Sequence, residues 1–87
     1  MLVIKILGAA NGLSTRADGL YVKTFDPDAY NGRGHLVTTE DPSTAMTFAN
    51  AAVAHDFWRQ QSRSFPTRGD GQPNRPLTAY HIQMEKV

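Results

Sequence analysis

The sequence predicts an α+β fold: a single, mostly antiparallel four-stranded sheet in the order β-β-β-α-β, with one main helix packed on one face. Three observations predict it. Only one stretch, Asp41–Phe65 (DPSTAMTFANAAVAHDFWRQQSRSF), is long and periodic enough to be a helix. Four shorter runs alternate in polarity or are rich in β-branched residues, as strands are. Between them lie stretches dense in Gly, Pro, Asn and Asp, which interrupt both structures. A chain of 87 residues is expected to form one domain, residues 1–87, with a modest core.

Asp41 before Pro42 reads as a helix start. The carboxylate accepts from free backbone N–H groups, and proline suits the first helical position because its missing donor is not needed there. Asn50 is a second cap in mid-stretch. Two forms follow: one continuous helix, or a single turn at Pro42–Thr47 and then a main helix from Ala51 to about Arg63. The second is preferred. At roughly 100° per residue, Ala51, Ala54, Phe57, Trp58 and Gln61 share one side, with Asp56, Arg59, Gln60 and Arg63 largely opposite. Small residues let the helix lie close to a sheet, and Phe57 and Trp58 fill the wider end. Each buried ring is worth about 2–3 kcal/mol. The indole of Trp58 is therefore expected between helix and sheet, in preference to a ligand platform flanked by Arg59 and Arg63.

Leu2, Ile4 and Ile6 alternate with Val3, Lys5 and Leu7, as in a strand with one apolar and one mixed face. Turn signals follow at Asn11-Gly12 and Asp18-Gly19. Leu20–Phe25 is the second strand, with Tyr21, Lys23 and Phe25 on one face. Gly34–Thr39 is the third. The segment FPTRGDGQPNRP after the helix is too rich in proline and glycine for helix or interior strand. Leu77–Lys86 is the last strand, with Tyr80, Ile82 and Met84 on one face. The first strand is the most apolar, so it is expected inside the sheet and paired with the last, in a direction the sequence leaves open.

A formal net charge of +1 argues for neither nucleic acid nor membrane. The charge is unevenly spread: residues 18–56 are net acidic, whereas Arg59, Arg63, Arg68 and Arg75 face Asp70 alone across residues 59–75. The chain has no cysteine, which excludes disulfides and thiolate metal sites and suits a reducing, cytoplasmic setting. MLVIKILGAA holds Lys5 and lacks a basic leader, so it reads as a strand and not as a signal peptide. No run has the length to cross a bilayer as a helix.

Few residues carry recognisable chemistry. Asp26-Pro27-Asp28-Ala29-Tyr30-Asn31-Gly32 resembles a calcium loop, but Tyr30 stands at the fifth position, the glycine comes one place late and Val37 stands at the twelfth. His35, His55 and His81 have no ligand spacing, and a triad with Asp56 and Ser62 is a matter of geometry that sequence does not supply. They read as surface or strand-face residues. Gly32-Arg33-Gly34 and Arg68-Gly69-Asp70-Gly71 are glycine turns bearing an arginine, suited to an anion, though neither fits a phosphate-binding loop. No catalytic motif, metal site or cofactor is expected. The most distinctive polar run is Pro66–Pro76, which proline stiffens and in which Arg68, Asn74 and Arg75 offer donors to a carboxylate, a phosphate or a protein.

Three features carry a resemblance that spans most of the chain. VIKIL leads to the aromatic-bearing GLYVKTFDPDA. A threonine–acid turn enters the helix with Ala45 and Phe48 three apart, and the connector GQPNRPLTAYHI runs into the last strand. In these the chain resembles small uncharacterised proteins of bacterial genomes and prophages. The resemblance implies a phage-related α+β protein without assigned activity, and it favours a protein partner or an assembly. The expected function is a non-enzymatic protein-interaction module that binds a protein partner or pairs with itself as a homodimer. Arg68, Asn74, Arg75, Arg59 and Arg63 would form the contact. The alternative is a nucleic-acid-associated protein using the same arginines on phosphates, with Tyr21, Phe25 or Tyr80 stacking on bases. A small enzyme ranks third.

Overall fold

The computed structural model describes residues 1–87. Strands β1 (Leu2–Ala9), β2 (Tyr21–Asp26), β3 (His35–Thr39) and β4 (Tyr80–Lys86) form one antiparallel sheet in the order β3-β2-β1-β4. This is the α+β architecture read from the sequence. The apolar β1 lies inside, as expected. β4 runs antiparallel to it, from Leu2 opposite Lys86 to Ala9 opposite Tyr80.

The helical stretch takes its two-part form. Asp41 caps only a 3-10 turn, Pro42–Thr44, accepting the Ser43 N–H at 2.9 Å. Residues 46–48 are then extended and fill the gap where β1 and β2 diverge. Met46 N–H donates to the Val22 carbonyl at 3.0 Å, and Phe48 exchanges two 2.8 Å bonds with Leu2. Asn50 caps the main helix, Ala51–Trp58, by accepting the Val53 N–H at 3.0 Å.

The helix stops at Trp58, five residues short of the expected Arg63. Its ladder gives way at once: the Gln60 N–H turns back to the Phe57 carbonyl at 3.2 Å, the Ser62 N–H goes to the distant Asn74 carbonyl at 2.8 Å, and the Asp28 carboxylate takes the Arg63 and Ser64 N–H groups and the Ser62 hydroxyl. Periodicity cannot register a competitor supplied by another loop.

Ile4, Ile6, Val22, Phe48 and Ala54 form the buried centre. Ala54 is fully buried, which lets the helix lie close against the sheet. Phe57 sets its ring 5.1 Å from that of Phe48 and edge-on to Phe25 at 6.4 Å. Ala51, expected on the inner face, is exposed. Trp58 also departs from expectation. It is half-buried outside the central cluster, and its indole N–H donates to the Tyr80 carbonyl at 3.1 Å. A buried indole needs a partner for its N–H, and the edge strand β4 offers one.

Two further differences come from local irregularity. The β2–β3 register shifts between Val22 and Thr24, making Lys23 an extra residue. Such a bulge resets the alternation, so Phe25 packs against the core with Val22 and not with Tyr21. The last strand begins at Tyr80, because Pro76–Ala79 closes a 3-10 turn in which Thr78 N–H donates to the Arg75 carbonyl at 3.0 Å. On the face of the sheet opposite the core, the Tyr21 hydroxyl donates to Glu85 at 2.8 Å with Lys5 beside them. That bond holds the Tyr21 hydroxyl pKa above its ordinary value.

Candidate functional site

Two loops at one end of the molecule make the site. The first connects β2 to β3. Its turn, Ala29–Gly32, is left-handed at two residues with side chains, Tyr30 (φ 52°, ψ 47°) and Asn31 (φ 57°, ψ 42°), and Gly32 continues at φ 82°. The left-handed region costs an L-residue about 1–2 kcal/mol. Asn tolerates it better than a bulky ring does, and Tyr30 is 66% exposed, so burial does not offset its strain.

The second loop, Gln60–Pro76, holds the first in place. Asp28 Oδ1 accepts from the Ser62 hydroxyl (3.1 Å), the Arg63 N–H and the Ser64 N–H (3.1 Å), while the Asp28 carbonyl accepts the Ser64 hydroxyl at 2.9 Å. The Arg63 N–H, followed by that of Ser64, holds the carboxyl below the ordinary carboxylate value. The Asn74 amide donates to the Gly32 carbonyl at 2.7 Å and the Phe65 carbonyl at 2.9 Å. Gly32 is buried here, and a Cβ on it would collide with Phe65 Cβ and stand 2.7 Å from Asn74 Nδ2.

Within the second loop, residues 66–74 form a small hairpin. Thr67 bridges Pro73, Arg68 N–H donates to the Gln72 carbonyl at 2.8 Å, and Asn74 N–H donates to the Pro66 carbonyl at 2.9 Å. At its tip Asp70 divides its oxygens: Oδ1 accepts the Gln72 N–H at 3.0 Å and Oδ2 pairs with Arg68 Nη2 at 2.9 Å. The Gln72 N–H chiefly, with Arg68 adding to it, keeps this carboxyl below its ordinary value.

Between the loops lies a cleft of about 670 Å³. Arg33 lines it from the first loop and Arg68 and Arg75 from the second, with Ala10, Thr78 and Ala79 also contributing. No aspartate or glutamate lines it. Arg68 has Asp70 as partner, whereas Arg33 and Arg75 have no carboxylate within 4.0 Å. The cleft can therefore receive an anion. The chain matches no family model, no curated protein and no solved structure.

Of the residues singled out in the sequence, Arg68, Asn74 and Arg75 come together in the cleft. The Asn74 amide is committed to the two loop carbonyls, so its part is to hold the walls. Arg59, the C-terminal cap just past the main helix, and Arg63, whose N–H serves Asp28, do not line the cleft. Arg33 is the residue the site adds. Its signal was the Gly32-Arg33-Gly34 turn, which marks an arginine held by backbone that only glycine adopts freely. All three histidines are exposed, and none lines the cleft. No helix is long and apolar enough to cross a membrane.

Proposed function

We propose that the protein is a non-enzymatic interaction module, phage-related by resemblance and acting in the cytoplasm, whose contact surface for a protein partner is the arginine cleft. One observation carries this reading. Arg33, Arg68 and Arg75 line one cavity with no acidic side chain among them. Guanidinium groups favour bidentate contact with carboxylates. The latched loops add to it, because a surface ordered in advance loses less entropy on binding. The left-handed turn at Tyr30 and Asn31 also points this way, since strained backbone concentrates at functional sites.

Self-association is a second form of the same reading, supported by the uneven charge along the chain and by the two edge strands of an open sheet, β3 and β4. The nucleic-acid alternative has less support. Phe25 and Tyr80 pack against the core and the Tyr21 hydroxyl is held by Glu85, so none of the three offers an open stacking platform. For catalysis, no histidine faces the cleft to act as a base.

The test is an NMR titration with a glutamate-rich peptide as probe. Shifts are expected to cluster at residues 31–33 and 67–79. The Arg68→Ala/Arg75→Ala variant, with its spectrum still dispersed, should lose binding by at least about tenfold, as loss of charge-assisted hydrogen bonds at about 1.5–3 kcal/mol implies. Unchanged binding would remove the loop from the contact surface. Light scattering tests the homodimer. A single-stranded oligonucleotide titrated over a salt series tests the alternative.

A further inference from the structure

Resting on the reading of the cleft as a contact surface, we infer that its ligand is an acidic linear segment of the partner protein, and that Asp70 is an internal competitor for the same arginine. The cavity, at about 670 Å³, lies within the range of about 300–1,000 Å³ found for pockets that hold ligands of many atoms. It suits several residues of extended chain better than one small anion. Its cationic groups stand on two walls, Arg33 on one and Arg68 and Arg75 on the other, so a segment lying between them meets guanidinium groups from both sides. A peptide carrying more than one carboxylate satisfies that arrangement. The modest net charge disfavours a nucleic-acid strand.

Asp70 already provides one such carboxylate. It lies two residues from Arg68 on a tight hairpin tip, so its effective concentration at the guanidinium is high, and its Oδ2 sits 2.9 Å from Arg68 Nη2. Both side chains are 56% exposed. An exposed pair of this kind is worth little and yields to an incoming carboxylate. Arg33 and Arg75, which have no carboxylate partner, make the first contacts. Arg68 joins once the peptide displaces Asp70. The tip keeps its shape through this exchange, because Asp70 Oδ1, held by the Gln72 N–H at 3.0 Å, does not take part.

Asp70→Asn isolates the effect: the amide oxygen still accepts from Gln72, while the charge on Arg68 is released. The probe is a Glu-Gly-Glu-Gly-Glu peptide, with its glutamine counterpart as control, and affinity is measured by calorimetry on the full chain. Asp70→Asn should bind the glutamate peptide about two- to fivefold more tightly than the wild type, the range a pair worth up to about 1 kcal/mol allows. Arg68→Ala should bind it more weakly. Adding Asp70→Asn to Arg68→Ala should change nothing further, because the competitor acts only through that arginine. Equal tightening in both backgrounds would mean a general charge effect and would overturn the competitor role, as would no tightening in either. Peptide binding by the wild type, lost on removing the arginines, would then leave the contact surface standing alone. No binding of the glutamate peptide, or tighter binding of a single-stranded oligonucleotide, would overturn both readings.

Discussion

Gly32 is the residue on which the two loops meet. It combines a left-handed backbone with a position where a single methyl group would strike Phe65 and Asn74. Gly32→Ala should therefore destabilise the fold by about 2–4 kcal/mol in a denaturant melt, joining backbone strain to steric overlap. Its neighbour Tyr30 should behave in the opposite way. With its ring exposed and its φ at 52°, Tyr30→Gly relieves strain at the cost of some unfolded-state entropy. A net gain of about 0.5–1 kcal/mol in the same melt is expected. A loss there would mean that the Tyr30 ring, 5.6 Å from that of His35, contributes more than the strain removes.

Among the elements, the junction after the main helix is governed by Asp28. Its carboxyl pKa lies below the ordinary 3.8, so the ionised form is the one that favours folding. That contribution is complete above the ordinary value and is lost as pH falls through the lower folded-state value. Acid melts should show stability declining below about pH 4. In Asp28→Ala that decline should be shallower, with a lower melting temperature at neutral pH. Asp41 and Asp70, both also shifted down, account for the acid sensitivity that remains. An unchanged acid profile in Asp28→Ala would show that the junction does not depend on the charge.

The elements also show what a sequence can express. Asn50 as cap, β1 as inner strand and the turns at Asn11 and Asp18 follow from short-range chemistry, and all were legible. Leu13 N–H donates to Asn11 Oδ1 at 3.0 Å and Thr15 N–H to Asp18 Oδ2 at 3.1 Å, local bonds that need no tertiary partner. The helix end, the bulge at Lys23 and the placement of Trp58 were not legible. The first depends on acceptors remote in the chain, the Asn74 carbonyl and the Asp28 carboxylate, the second on pairing with β3, and the third on a free carbonyl at a sheet edge. The site was partly legible for the same reason. Arg68 and Arg75 stand out in their own loop, but Arg33 becomes part of the site only when Asp28 and Asn74 bring the loops together.

At the scale of the whole molecule, the sheet is closed by residues almost a full chain apart. Leu2 faces Lys86, and the Val87 N–H donates to the Met1 carbonyl at 3.1 Å. Closing so large a loop carries an entropic cost that a hairpin such as β2–β3 avoids, so β4 should dock late and set the folding rate. A circular permutant that links Val87 to Met1 and opens the exposed segment at Leu13–Ser14 would turn this remote pairing into a local one. It should refold faster than the parent in stopped-flow experiments, with Trp58, hydrogen-bonded to Tyr80, reporting the arrival of the final strand.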